Sequence, residues 1–316
     1  MVKLLKQAFT QFSDDRCSRM AAALAYYTVF SLAPLLVLII TICSFIWNPE
    51  DIRGLLEAEI QQVVGRDGAE QVKTMLGHAT QQGQGIMASV LSSIMLLVGA
   101  TGLVAQLQSA LNDTWEVKPD PEASGIKTFI FKRLMSLGMI CGIAFLLLVS
   151  LIATAVLSAA GDTIADFLPQ AWSGALLQSI HVGVSLIVIG LMFAAMFKFL
   201  PDADIKWSDV GVGAAVTAVL FMAGKYGLGA YLGSKNTDSA YGAAGSLALI
   251  LIWVYYSSMI FLFGAELTQV WAKQRGSGVR PSEGAVRVEE KIVRRPMNEP
   301  SNRPDAKKQR EYAEAT

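Results

Sequence analysis

From position 20 the chain runs for 28 residues, MAAALAYYTVFSLAPLLVLIITICSFIW, without one Asp, Glu, Lys, Arg or His. About 20 apolar residues suffice to cross the hydrocarbon core of a bilayer as a helix. The stretch is therefore read as a membrane span. Its apolar part exceeds the ~7 to 15 residues of a signal-peptide core, so it is expected to be retained. Apolar residues make up 53% of the 316 and charged ones only 16%, a balance that demands more spans. Apolar runs follow at about 86–111, 134–159, 175–197, 209–232 and 242–271. The expectation is an all-α, polytopic membrane protein, a bundle of six transmembrane helices over residues 20–271.

Six spans put both termini on one side. Counted along the loops, that side carries 21 Lys and Arg and the other carries 4. By the bias of basic residues toward the cytoplasm, the termini face inward. Residues 1–19 set Leu4, Leu5, Ala8, Phe9 and Phe12 on one helical face, so this arm is expected to lie on the cytoplasmic membrane surface. Residues 272–316 are rich in charge, Pro, Gly and Ser and are expected to be a disordered cytoplasmic tail. The long outer loop, 48–84, opens with Asn48-Pro49-Glu50-Asp51, the signature of a capped helix start. Ile52, Leu55, Leu56, Ile60, Val63 and Val64 follow at helical spacing, then Val72, Met75 and Leu76 after two glycines. That pattern predicts an amphipathic helical hairpin over the outer mouth of the bundle.

Inside the spans, polar residues are the candidates for function, because lipid offers them no partner. Pro34 lacks an N–H and should kink the first span, with Ser31 free to satisfy the loosened backbone. Tyr27, Ser31 and Pro34 share one side of that helix, with Tyr26 about 100° away. Lys225 and Tyr226 lie in the fifth span, and Trp253 and Tyr256 near the middle of the sixth. These eight residues are the candidate pathway or substrate contacts. Glu266, near the cytoplasmic end of the last span, is expected to be structural, tied to Arg19, Arg133 or Lys206. Asn112 is the other structural polar candidate. Gly138 and Gly142 on the third span, and Gly229 and Gly233 on the fifth, have the spacing of close helix packing. The three cysteines have no metal or disulfide spacing.

Four stretches, AAALAYYTVFSLAPLL (21–36), ALNDTWEV (110–117), FLPDADIKWSDVGVGA (199–214) and YGAAGSLALILIWVYYSSMIFLFGAEL (241–267), resemble the YihY/BrkB family of bacterial inner-membrane proteins, once labelled ribonuclease BN. The resemblance implies about six spans in the inner membrane and a link to serum resistance, with no agreed activity. Metal-dependent RNA hydrolysis needs clustered ligands, and the chain has only His78 and His181, neither expected in the cytoplasm. No enzymatic activity, cofactor, metal or nucleic-acid partner is expected, and the pattern does not set an oligomeric state. No phosphate-binding Walker motif is present. The leading expectation is movement or flipping of an anionic lipid or glycolipid, with Lys225 holding the charged headgroup and membrane lipids as partners. The alternative is a non-transporting envelope scaffold.

Overall fold

A computed structural model describes residues 2–45, 47–80, 86–120, 134–135, 137–146, 170–233, 242–276 and 278–288. The order of elements is α1 (Val2–Asp14), α2 (Cys17–Cys43), α3 (Pro49–Thr80), α4 (Ile86–Thr114), β1 (Val117–Pro119), α5 (Leu137–Leu146), α6 (Gln170–Phe199), β2 (Ala203–Asp204), α7 (Trp207–Gly233), α8 (Gly242–Arg275), β3 (Arg280–Pro281) and β4 (Ala285–Arg287). Among the described residues the protein is all-α apart from two short ladders. Among the described residues four helices are long and apolar enough to cross a membrane: α2, Gln178–Phe199 of α6, Trp207–Gly227 of α7 and Leu247–Arg275 of α8. The expected second span coincides with α4. Most of the expected third, 134–159, lies outside the described residues.

Helix α8 is the hub, with α1, α2, α3, α4 and α7 all packed on it. Its contact with α7 is reciprocal. A Cβ on Gly213 of α7 would collide with Thr268 of α8, and one on Gly264 of α8 would collide with Thr217 of α7. Each threonine hydroxyl is spent on its own helix, Thr217 donating to the Gly213 carbonyl at 2.7 Å and Thr268 to that of Gly264 at 2.8 Å. Small residues one turn apart thus let two backbones meet where lipid gives no hydrophobic drive to associate.

The arm packs against α8. Leu4 and Ala8 of α1 are buried with Leu267 and Val270 of α8, and Phe12 meets Phe263 edge-on at 6.2 Å between centroids. Leu5 and Phe9 of the same helix remain 42% and 67% exposed. Arg16, at φ 54°, turns the chain from α1 into α2. Helix α2 continues through Pro34, whose ring rests on Gly99 of α4, where an added Cβ would stand 2.9 Å away.

The 48–84 loop forms helix α3. Helical geometry is continuous from Pro49 to Thr80, yet Lys73 Nζ lies 3.2 Å from Glu57 Oε2. Sixteen residues of straight helix span about 24 Å, more than the two side chains can bridge. The element must therefore bend back on itself between those residues, giving two limbs. Ile52 packs with Cys43 and Ile40 near the end of α2. Val72 joins Leu36, Ile250 and Trp253, and Ile60, Val29, Leu32 and Phe221 close on the same cluster. The limbs run down into the bundle.

The tail is ordered further than composition suggested. Helix α8 continues to Arg275, and residues 278–288 add two strand pairs: β3 on β2 and β4 on β1, both antiparallel. Gly278 and Gly284, at φ 76° and 79°, supply the left-handed turns. Residues 289–316 lie outside the described residues.

The α7–α8 seam makes a direct prediction. Gly264→Val should overpack it and cost about 1 to 3 kcal/mol, read as a fall in the thermal unfolding midpoint in detergent. Gly211→Ala, where an added Cβ meets nothing within 4 Å, should leave the midpoint close to wild type.

Candidate functional site

Two groupings of polar and aromatic side chains stand out, one midway along α7 and α8 and one at the Cys17 end of the bundle. In the first, Gly224 of α7 is buried because the ring of Tyr256 lies across it. Lys225 is half-buried beside that contact, and Tyr226 is exposed. One turn toward the Cys17 end of α7, Phe221 meets the buried Trp253 edge-on at 5.7 Å. The structure therefore brings Lys225, Tyr256 and Trp253 to one stretch of the α7–α8 pair. Lys225 follows Gly224 in the chain and stands one helical turn from Phe221, so it belongs to the same stretch as both contacts.

The α2 candidates divide. Ser31 is buried and faces Gly102 of α4, as Pro34 faces Gly99. Tyr26 and Tyr27 are exposed, 60% and 46%, with the Tyr26 ring tilted against Phe30 at 4.9 Å between centroids. Ser31 and Pro34 thus lie in the α2–α4 seam, and Tyr26 and Tyr27 outside it. The α2–α4 seam closes to glycine distance, which admits a hydroxyl and a pyrrolidine but no phenol ring. Gly138 and Gly142 also depart from expectation: a Cβ on either meets nothing within 4 Å, so they mediate no close helix contact among the described residues. They open instead onto an apolar cleft of about 400 Å³ with Phe145, Leu146 and Phe199.

The second grouping is structural. Glu266 is fully buried, and its partner is the Cys17 thiol, which donates to Oε1 at 3.4 Å, rather than the expected Arg19 or Lys206; Arg133 lies outside the described residues. The turn that delivers Cys17 also sets Asp15 against the same carboxyl, which leaves no room for an arginine. Trp115 Nε1 donates to the Ala265 carbonyl at 3.1 Å and Gln269 Nε2 to that of Thr114 at 3.0 Å, fastening the end of α4 to α8. Asn112 makes a two-way clamp with Asp202: Nδ2 donates to Oδ2 at 2.8 Å and its Oδ1 accepts the Asp202 N–H at 2.8 Å. Gln108 completes the set, donating to Asp202 Oδ1 at 3.1 Å. Glu116 receives Lys273 at 3.2 Å and Arg287 at 3.3 Å.

Sequence reasoning missed Asp202, Trp115 and Gln269. The first two sit in the FLPDADIKW and ALNDTWEV stretches, and that was the available signal. Among the described residues no three His, Cys, Asp or Glu side chains are placed to hold a metal ion. Lys198 Nζ reaches Asp204 at 2.7 Å and the Ile205 carbonyl at 2.6 Å, and the hydrogen bond and charge of Lys198 hold the Asp204 carboxyl below its usual range. Asp15 is exposed as a residue, but its carboxyl leans toward Glu266 and loses water; burial is the largest of the influences that push it above the usual range.

Comparison with known proteins agrees along nearly the whole chain. A family model described as virulence factor BrkB matches residues 8–288. A UPF0761 membrane protein of Methylibium petroleiphilum is 29% identical over 83% of this chain and 61% of its own length. One from Vibrio atlanticus is 24% identical over 86% and 83%, and one from Pseudomonas aeruginosa 27% over 81% and 60%. The chain thus spans about three-fifths of the length of the first curated relatives it matches. No solved structure matches it.

Asp15 gives the grouping a pH signature. With a folded pKa above the unfolded one, ionising Asp15 costs stability as pH rises out of the acid range. Asp15→Asn should therefore unfold at a higher temperature than wild type near neutral pH, and the gap should close in mild acid. Equal midpoints at every pH would show that the Asp15 carboxyl is not strained by its surroundings.

Proposed function

The chain belongs to the BrkB family of membrane proteins, and we propose that it moves or flips an anionic lipid or glycolipid across the bacterial inner membrane, with both termini in the cytoplasm and six spans forming the bundle. The observation that carries this reading is the mid-helix set on α7 and α8: Lys225, half-buried, next in the chain to Gly224, across which Tyr256 lies, and one turn from Phe221, which meets Trp253. A lysine well inside a span costs about 3 kcal/mol on insertion scales, an outlay that charged residues in membranes generally recover through function. Its flanks suit an amphiphile, polar at the ammonium and phenol and apolar on either side. The side with more Lys and Arg supports the cytoplasmic placement of the termini. Without a Walker motif in the sequence, movement is driven by a gradient, by a partner, or by the lipid's own distribution. The chain does no bond-making chemistry in this reading.

Native mass spectrometry in mild detergent tests it, comparing wild type with Lys225→Met. The expected result is a defined anionic lipid retained by wild type and lost from the variant. The same nonspecific lipid mixture on both would overturn the role of Lys225 and favour a scaffold.

A further inference from the structure

The bent helix α3 carries an inference that the lysine does not. A hydrocarbon core takes ~20 helical residues, and any window of that length placed within residues 20–47 contains residues 28–39. Val29, Leu32 and Leu36 therefore lie in the hydrocarbon layer wherever the membrane is set. Ile60 and Val72, one on each limb of α3, pack into the cluster of those three residues. On α8 the same cluster holds Ile250 and Trp253, both within the membrane-capable stretch that begins at Leu247. Both limbs of α3 thus reach hydrocarbon depth, and the bend between them lies at least as deep.

The opposite face of those limbs is polar. Glu57 and Lys73, each within three residues of the packed pair, form an ion pair whose side chains are 37% and 58% exposed. Gln61 and Glu70 are exposed as well. Lipid cannot face such a surface: polar groups at this depth persist only against protein or in a water-filled cavity.

We propose that α3 is a re-entrant limb and that its polar face walls a water-filled vestibule, open at the Cys43 end of the bundle and reaching hydrocarbon depth, where it takes the polar headgroup of an amphiphile. The vestibule stands on packing and charge alone; that a headgroup uses it rests on the transport reading above. A pathway of this form gives a headgroup hydration through half of the membrane, so the dry distance left to cross is short.

Nitroxide labels test the vestibule in liposomes. Single cysteines replace Gln61 and Glu70 on the polar face, and Phe30, which is 66% exposed at the same depth of α2. The background is Cys141→Ser, since Cys17 and Cys43 are buried. Collisions are measured with oxygen, which concentrates in lipid, and with a water-soluble nickel chelate. Expected are nickel-accessible labels at 61 and 70 and an oxygen-rich, nickel-poor label at 30. Labels at 61 and 70 that behave like the one at 30, or that neither probe reaches, would overturn the proposal. So would a nickel-accessible label at 30, which would place that whole level outside the membrane. None of these readings depends on whether a lipid moves, so failure here is separable from failure of the transport reading.

Discussion

Backbone contact between α7 and α8 is the condition on which the rest of the bundle depends. Gly213 against Thr268 and Gly264 against Thr217 form two matched contacts one helical turn apart. Together they fix both the separation and the register of the two helices. That register sets Tyr256 across Gly224, the residue before Lys225. It also fixes which face of α8 remains for α1, α2 and α3. A larger residue at either glycine would not merely loosen one contact. It would move every element that uses α8 as its reference.

The polar groupings divide the labour along the same helix. At the Cys17 end the bonds are short, mutual and buried. Trp115 and Gln269 exchange hydrogen bonds between α4 and α8, the Asn112–Asp202 clamp ties α4 to the loop before α7, and two strand pairs draw in residues 278–288. Cooperative networks of this kind rigidify. At the other end Gln61, Glu70 and Lys73 of α3 are exposed, and Lys73 pairs with Glu57. A bundle tied at one end and lined with exposed charge at the other is suited to opening on the loosely tied side.

Much of the membrane domain was legible in the sequence, because an uncharged run of 28 residues has one physical solution. The amphipathic pattern of 48–84 was legible too, but not its depth. Helical spacing shows which face is apolar and is silent about which partner covers it, and Leu36 and Trp253 are far away in the chain. Composition misjudged the tail, since strands of two and three residues are too short to show alternation. Glu266 was misassigned for a different reason. Charge alone argues for a basic partner, whereas the left-handed turn at Arg16 delivers Asp15 and Cys17 to that carboxyl first. The exposure of Tyr26 and Tyr27 follows from glycines on α4, which a reading of α2 by itself could not supply.

The most direct measurement of the account is a lipid-flipping assay in liposomes carrying the purified protein, with a fluorescent anionic phospholipid and a membrane-impermeant reductant added outside. The account predicts that reduction exceeds the outer-leaflet half in proteoliposomes and stops at that half in protein-free vesicles, with Lys225→Met falling to the protein-free level. Reduction that halts at the outer leaflet in wild-type proteoliposomes, with folded protein present and across several anionic headgroups, would contradict it.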